Sequence, residues 1–399
     1  MRIAFFTEGY DPYTNGVVVL VKAYRDALVE AGHDVTIFAP EHEEQPDTEH
    51  DVVRLKSLVF HKDFYRIVRP FSRINTVFDP TEFDVIHSHH PFTCGHIAGK
   101  LSKKHGIPLV YTFHTHLTKQ AEHVRWPKTV VKSGMLELIK FHCEQSHCIT
   151  TSTQVCADWL EENGVSTPIS IIRPNLPKLT PSTLTREEAR EKFGLRPDET
   201  VALCASRLSP EKGVEFLFES MAKLDRPPKL LLAGDGVMRE DLVALSKKLK
   251  LQKHISWVGE LPHHEISEAY VASDFLVFPS RNDTLGLVIL EAMSYGLPVL
   301  GIDENGPSEI IRTNVDGVLV SYDTAAFARE LHRMTHDLDH RRFLASNAEA
   351  GCREFCNLDV GASLIHTYGI AMAEFAKRAT AAKLTRTKPP KRPFHSKGT

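Results

Sequence analysis

The sequence predicts two α/β domains of similar size, each a parallel sheet covered by helices on both faces, and three observations point there. The chain has 399 residues, more than one ordinary hydrophobic core accommodates, since single cores stop growing at roughly 250 residues. Short apolar runs recur with helical segments between them, and near-continuous runs of that length are what strands buried on both faces require. A proline-rich stretch, PNLPKLTPST, divides the series in two, after which the alternation restarts.

In the first half the strand candidates are Ile3 to Thr7, Val35 to Ala39, Val85 to Ser88, Leu109 to Phe113, Cys148 to Ser152 and Ile169 to Ile172. In the second they are Val201 to Ser206, Leu230 to Ala233, Ile255 to Val258, Phe275 to Pro279, Val299 to Ile302 and Val318 to Val320. The break from Pro174 to Pro181 is the expected linker and hinge, because proline removes backbone donors and blocks helix continuation. It gives domains at 1–176 and 177–355. Residues 341–378 read as helical with an interruption near Cys356 to Gly361, so 356–378 is expected to be a C-terminal helix that returns to the N-terminal domain. Residues 379–399 are polar, basic and aperiodic, and are expected to be disordered.

Composition narrows the class. Apolar residues make up 42% and charged residues 25%, the balance of a soluble globular protein. A net charge of -3 gives no bulk attraction to nucleic acid. The seven cysteines lack CxxC pairing, which excludes a disulfide framework and a conventional zinc site and points to a reduced, cytosolic setting. The opening MRIAFFTEGY meets Glu8 and Asp11 too soon for a signal peptide, and no run approaches the ~18 apolar residues of a membrane span.

The most informative segment is NDTLGLVILEAMSYGLPV, from Asn282, which follows the strand candidate FLVFPS. An apolar helix is expected from Gly286 to about Tyr295, stopped by Gly296 and Pro298. Ligands of parallel sheets sit beyond the carboxyl ends of the strands, where the first helical turn offers free N–H groups to phosphate. Gly286, Leu287 and Val288 supply them, with Asp283 before the turn and Glu291 inside the helix at different depths along a bound ligand. In CASRLSPEKGVEFLFES, Arg207 and Lys212 converge on one strand-end loop, an arrangement that a shared diphosphate would satisfy and that Glu211 would otherwise neutralise. Asn15-Gly16 forms a tight turn after the first strand, open to close approach by phosphate. His114, in YTFHTHL, falls just beyond a strand end facing the interdomain cleft.

RLSPEKG, LLLAGDG, WVGELPHHE and the Asp283-to-Glu291 segment resemble the C-terminal domain of the family 4 retaining glycosyltransferases of the GT-B fold, and the likeness extends over roughly residues 1–375. The resemblance implies two Rossmann-like domains facing across a cleft. It also implies that Asp283 contacts the donor sugar, Glu291 holds the ribose, and Arg207 and Lys212 bind the diphosphate. His114 would lie beside the sugar, with Gly259, Glu260 and Leu261 bordering the base and Gly234 and Gly236 admitting the backbone to it. Asp283 departs from the family's Glu and sets its carboxylate one methylene back. No cofactor is implied. Helix dipoles and cations replace a metal in such enzymes, and the histidines around His114 (His87, His89, His90, His96, His116) lack the carboxylate or cysteine that would complete a zinc spacing.

Two stretches interleave cations with apolar and aromatic residues: Lys56 to Arg73, with Lys62, Arg66 and Arg69, and Thr118 to Phe141, with Arg125, Trp126, Lys128 and Lys132. Such patterns suit an anionic membrane surface, although solvated helix faces show them too. PFTCG followed by YTFHT is similar to diacylglycerol glucosyltransferases. The expectation is therefore transfer of glucose from UDP-glucose to a lipid such as diacylglycerol by a peripheral enzyme at the inner face of the cell membrane. Alternatives are a mannosyl- or other hexosyltransferase acting on a lipid-linked or soluble saccharide, a nucleotide-sugar epimerase, and a GT-B-like binding protein without turnover.

Overall fold

A computed structural model of the chain describes residues 1–12, 15–42, 51–61, 65–69, 74–120, 127–176, 179–262, 265–356 and 359–386. Lys62, Arg125 and Trp126 lie outside these, as do residues 387–399. The first half runs β1 (Arg2–Phe6), α1 (Gly16–Glu30), β2 (Asp34–Pro40), β3 (Val52–Leu55), β4 (Ser57–His61), β5 (Tyr65–Val68), β6 (Val85–Ser88), α2 (Thr93–His105), β7 (Leu109–Thr112), α3 (Leu117–Gln120), α4 (Lys128–Gln145), β8 (Cys148–Thr151), α5 (Gln154–Glu162) and β9 (Ile169–Ile171). The second runs α6 (Arg186–Lys192), β10 (Val201–Ala205), α7 (Val214–Met221), β11 (Lys229–Ala233), α8 (Arg239–Lys248), β12 (Ile255–Gly259), α9 (Ile266–Ala272), β13 (Phe275–Phe278), α10 (Leu287–Ser294), β14 (Val299–Ile302), α11 (Gly306–Ile310), β15 (Gly317–Val320), α12 (Thr324–His336), α13 (Leu338–Phe355) and α14 (Val360–Arg386).

Both main sheets are parallel, ordered β3-β2-β1-β6-β7-β8-β9 and β12-β11-β10-β13-β14-β15. The central strands are buried along their length, as in LLLA of β11 and FLVF of β13, so apolar residues occupy both sheet faces. In each sheet the strand order reverses once, between β1 and β6 and between β10 and β13. Loops leaving the two strands of such a pair diverge and open a crevice for ligand. That topology selects the loops after β1, β6, β10 and β13 before any chemistry is considered.

Three features differ from the sequence reading. The described residues of the segment from Lys56 are extended: β4 and β5 pair as an antiparallel hairpin, and their sequences SLVFH and YRIV offer β-branched and aromatic residues. β3 adds an edge strand to the first sheet. Residues 379–386 are not disordered: they continue α14, whose ATAAKL sequence is rich in strong helix formers.

The proline-rich interval holds no strand or helix between β9 and α6 among the described residues. Beyond α13, α14 packs on the first half of the chain. Arg378 donates to the Glu144 carbonyl at 2.9 Å, Phe375 meets His147 edge-on, and Gly361 lies so close to α1 that a β-carbon would sit 2.7 Å from the Ala27 carbonyl.

Candidate active site

The crevice of the second sheet gathers the predicted donor residues. Arg207 and Lys212 follow β10, and Asp283 follows β13. Lys212 Nζ donates to Asp283 Oδ1 at 2.7 Å, with both side chains about one-fifth exposed. Burial alone would push the Asp283 carboxyl up, but the Lys212 charge and hydrogen bond outweigh it and hold the group below the ordinary carboxylate range. The second oxygen, Oδ2, is buried without a hydrogen-bond partner. Arg207 stands 3.7 Å from Glu211, so the local counter-ion is present for this cation, whereas Lys212 is drawn instead to Asp283.

Gly286 caps α10 in the left-handed region at φ 79, and no side chain caps the first turn. A β-carbon there would press on Ile289 and Phe278 at 3.0 and 3.1 Å, so glycine is required by both backbone and packing. The first-turn amides at Leu287 and Val288 thus follow Asp283 on the same β13–α10 connection, without a side-chain cap. Inside α10, Glu291 Oε2 accepts a 2.6 Å hydrogen bond from the buried Tyr270 hydroxyl. Tyr270 fixes the Glu291 carboxylate and was not singled out from sequence; its signal was a tyrosine on the helix preceding β13.

Gly234 and Gly236 pack against the loop that carries Arg207. At φ 137 and 156, their added β-carbons would lie 1.9 Å from the Ser206 carbonyl and 2.5 Å from the Leu208 carbonyl. They let the loop after β11 close onto the loop that carries Arg207, which Leu208 N to Asp235 O (2.8 Å) and Met238 N to Leu208 O (3.0 Å) then fasten. Gly259 is also left-handed and accepts from Gly234 N through its carbonyl, with exposed Glu260 and half-buried Leu261 beyond it.

Across the cleft, Asn15 caps α1, its side-chain oxygen accepting from Val17 N (2.9 Å) and Val18 N (3.0 Å). Those two amides are thus engaged by the cap, while Gly16 faces Leu287 of α10, 3.9 Å from a built β-carbon. His114 lies at the end of β7, and its carbonyl accepts from the Thr284 hydroxyl at 2.5 Å, joining the acid-bearing loop of one domain to a strand end of the other. Thr153 Oγ1 donates to Thr284 O (3.2 Å) and Val155 N to Glu309 Oε1 (2.5 Å), so Thr284 and Glu309 are further cleft residues. Thr284 was inside the quoted motif, yet only the fold gives it a partner.

His114 also belongs to a buried imidazole row. Its Nε2 and the Nδ1 of His89 share a hydrogen bond at 3.1 Å, His89 stacks on His87 at 4.3 Å, and His87 is bonded to Tyr368 of α14 and to Thr112. Burial lowers all of these rings, His87 to about 3 and His90 to about 4, and His89 and His114 well below the usual value. Among the described residues no group of three or more His, Cys, Asp or Glu could hold a metal ion.

Of the residues assigned to the membrane or acceptor, Arg69, Lys128 and Lys132 are exposed. Arg66 is not a free surface cation: half-buried, it turns inward to donate to the Glu41 carbonyl at 3.0 Å.

Two parallel-sheet domains with their switch-point loops opposed, and a cation–carboxylate pair set beside an uncapped helix start, define the GT-B class of glycosyltransferases. The chain matches the model of Glycosyltransferase Family 4 over residues 14–174 and that of Glycosyl transferases group 1 over residues 185–351. It belongs to the family 4 glycosyltransferases and is a glycosyltransferase. It is 25% identical over 370 residues to the alpha-monoglucosyldiacylglycerol synthase of Streptococcus pneumoniae, covering 89% of this chain and 83% of that one. Similar solved structures include sucrose-phosphate synthase from Thermosynechococcus elongatus, with TM-score 0.76, 22% identity and coverage of 96% and 99%. Another is Anabaena HepE in complex with UDP and glucose, with TM-score 0.74, 18% identity and coverage of 92% and 99%.

Proposed function

We propose that the chain transfers glucose from UDP-glucose, with retention at the anomeric carbon, to a lipid hydroxyl such as that of diacylglycerol. The observation that carries the donor half is the convergence of Arg207, Lys212, Asp283 and the uncapped start of α10 in one crevice. Glycosyl transfer builds positive charge on the sugar and negative charge on the departing diphosphate. Arg207, Lys212 and the amides of Leu287 and Val288 stabilise the latter without a metal, and Asp283 and His114 orient the sugar. The leaving phosphate takes the acceptor proton on the same face, so no side chain serves as a covalent nucleophile. A diphosphate arriving at Lys212 competes with Asp283 and frees that carboxylate for sugar hydroxyls.

The lipid acceptor is supported by the relative's name and by the surface of the first half. Leu58 and Val59 of the hairpin and Val130 of α4 are 54%, 54% and 66% exposed, near Arg69 in sequence in the first case and Lys128 and Lys132 in the second. Apolar tips among cations suit peripheral attachment to an anionic cytoplasmic leaflet. No helix among the described residues is long and apolar enough to cross a membrane. A second reading, transfer of a mannosyl or other hexosyl group in place of glucose, is favoured by Asp283, whose shorter reach alters the hydroxyl contacts open to the donor sugar.

The test is a radiolabelled panel of UDP-glucose and GDP-mannose with diacylglycerol in phosphatidylglycerol vesicles, with Asp283→Ala as control. Labelled α-glucosyl lipid from UDP-glucose is expected, and its loss in the variant. Full-rate labelling of a soluble saccharide with vesicles ignored would remove the lipid acceptor, and a β-linked product would remove retention.

A further inference from the structure

Helix α5 of the first half begins without a side-chain cap of its own, although its sequence supplies a residue for one. Thr153 stands at the N-cap position with the extended backbone of a capping residue, φ -139 and ψ 151, yet its side chain takes no amide of the first turn. Threonine at that position ordinarily accepts from the second or third helical amide. Here the buried hydroxyl donates instead to Thr284 O of the second half, at 3.2 Å. The amide this leaves open, Val155 N, is taken by Glu309 Oε1 of α11 at 2.5 Å. One half of the chain therefore caps a helix of the other.

The groups that do this are fixed to the acid-bearing loop. Gly306, the first residue of α11, donates from its amide to the Asp283 carbonyl at 3.4 Å. A β-carbon on Gly306 would lie 2.6 Å from both Leu285 Cα and Thr284 O, so the backbone of α11 rests directly on residues 284–285. Asp283, Thr284 and Glu309 thus form one block. That block meets the first half at a second point, where the Thr284 hydroxyl donates to His114 O at 2.5 Å. His114 follows β7 and Thr153 follows β8, and these strands are neighbours in the first sheet. Contacts at two adjacent strand ends fix both the separation and the rotation of the Asp283 loop relative to His114. A single contact would fix neither.

We infer that Glu309 and Thr153 are positioning residues for transfer: by capping α5 across the cleft and bonding to Thr284, they set the Asp283 loop against His114 in the arrangement that turnover needs. This rests on the transfer reading above and deepens it. A carboxylate at the start of α5 is favoured by the helix dipole as well as by its hydrogen bond. The clasp is also reversible, because with the two halves apart Thr153 can turn its oxygen onto the α5 amides while the half-buried Glu309 returns to water. The groups assigned to the diphosphate and ribose, Arg207, Lys212, the Leu287 and Val288 amides and Glu291, all belong to the second half. The sugar alone is flanked from both halves, by Asp283 and His114. Loss of the clasp therefore bears on turnover and not on the grip of the nucleotide.

The test uses the full chain with UDP-glucose and diacylglycerol in phosphatidylglycerol vesicles. Glu309→Ala is expected to lower kcat roughly tenfold or more, while UDP affinity by calorimetry holds. Glu309→Gln keeps an oxygen for Val155 N without the charge, and its loss should be about fivefold or less. Thr153→Val should lose kcat as well, and Thr153→Ser, which keeps the hydroxyl, should restore most of it. Small-angle X-ray scattering with saturating UDP should give a larger radius of gyration for Glu309→Ala and Thr153→Val than for wild type, a change that a cap serving α5 alone would not produce. Unchanged kcat and radius in Glu309→Ala overturn the inference and leave the transfer reading standing. A lower thermal midpoint with unchanged kcat shows that these contacts serve stability only, and overturns it too. Absence of transfer by wild type sinks the transfer reading first, and this role with it.

Discussion

Lys212 is the sharpest place to test the donor site, because it has two tasks that a single substitution confounds. It neutralises Asp283 at 2.7 Å, and in the transfer reading it then meets the diphosphate. Truncating one member of a buried charged hydrogen-bonded pair costs about 2–5 kcal/mol. The side chains here are about one-fifth exposed, so solvent screening places Lys212→Met near the lower end, ~2–3 kcal/mol, or roughly 30- to 150-fold in UDP affinity. Part of that loss would come from an unopposed Asp283 carboxylate repelling the diphosphate. The double variant Lys212→Met/Asp283→Asn removes the repulsion and isolates the grip. Calorimetry with UDP should find the double still about tenfold or more weaker than wild type. Recovery of wild-type affinity in the double would refute the assignment, showing that Lys212 serves only to hold Asp283.

Tyr270→Phe keeps the buried ring and removes the 2.6 Å bond to Glu291; UDP affinity should fall by ~1–2 kcal/mol, about 5- to 30-fold, with an unchanged melting curve, and equal affinity would remove Glu291 from nucleotide binding. Gly234→Ala forces a β-carbon against the Ser206 carbonyl at positive φ, so the thermal midpoint should drop by an amount equivalent to ~2–4 kcal/mol; a neutral result would show that the loops separate easily. Glu8 gives a pH signature. Its carboxyl titrates near 4.5 when unfolded and about 7 when folded, so its contribution to stability is whole below 4.5 and lost as pH rises through 7. Relative to wild type, Glu8→Gln should therefore gain in thermal midpoint between about pH 5 and pH 8; parallel profiles would contradict the buried environment. His87, lowered to about 3, acts in the opposite sense, stabilising above about 6.5 and losing that as pH falls toward 3.

How far the sequence reaches depends on whether a residue's role is local. Strand positions emerged because buried parallel strands need apolar runs that little else produces, and Val85 to Ser88 and Val299 to Ile302 match β6 and β14 at both ends. Gly286 was readable because a strand, loop and helix follow within a dozen residues. The hairpin β4–β5 was hidden, since cations and aromatics at close spacing carry no clear period. Gly234 and Gly236 were recognised as special, but the reason lies in a neighbouring loop. Tyr270, Thr284 and Glu309 each act on residues more than a dozen positions away, and Glu8 entered the sequence reading only as an interruption of an apolar run. Such roles exist only once the sheets bring the loops together.

The row of imidazoles from His87 to His114 has a consequence for the sugar that would rest against it. Desolvation keeps these rings in their uncharged form far into the acidic range, so the wall beside the cleft offers soft, polarisable surface and hydrogen-bonding nitrogens without cationic character. An oxocarbenium-like centre forming nearby would therefore meet no like charge from these rings, while Arg207 and Lys212 would act on the departing phosphate. Polarity across the cleft would then be set by what the fold excludes from one side as much as by what it places on the other.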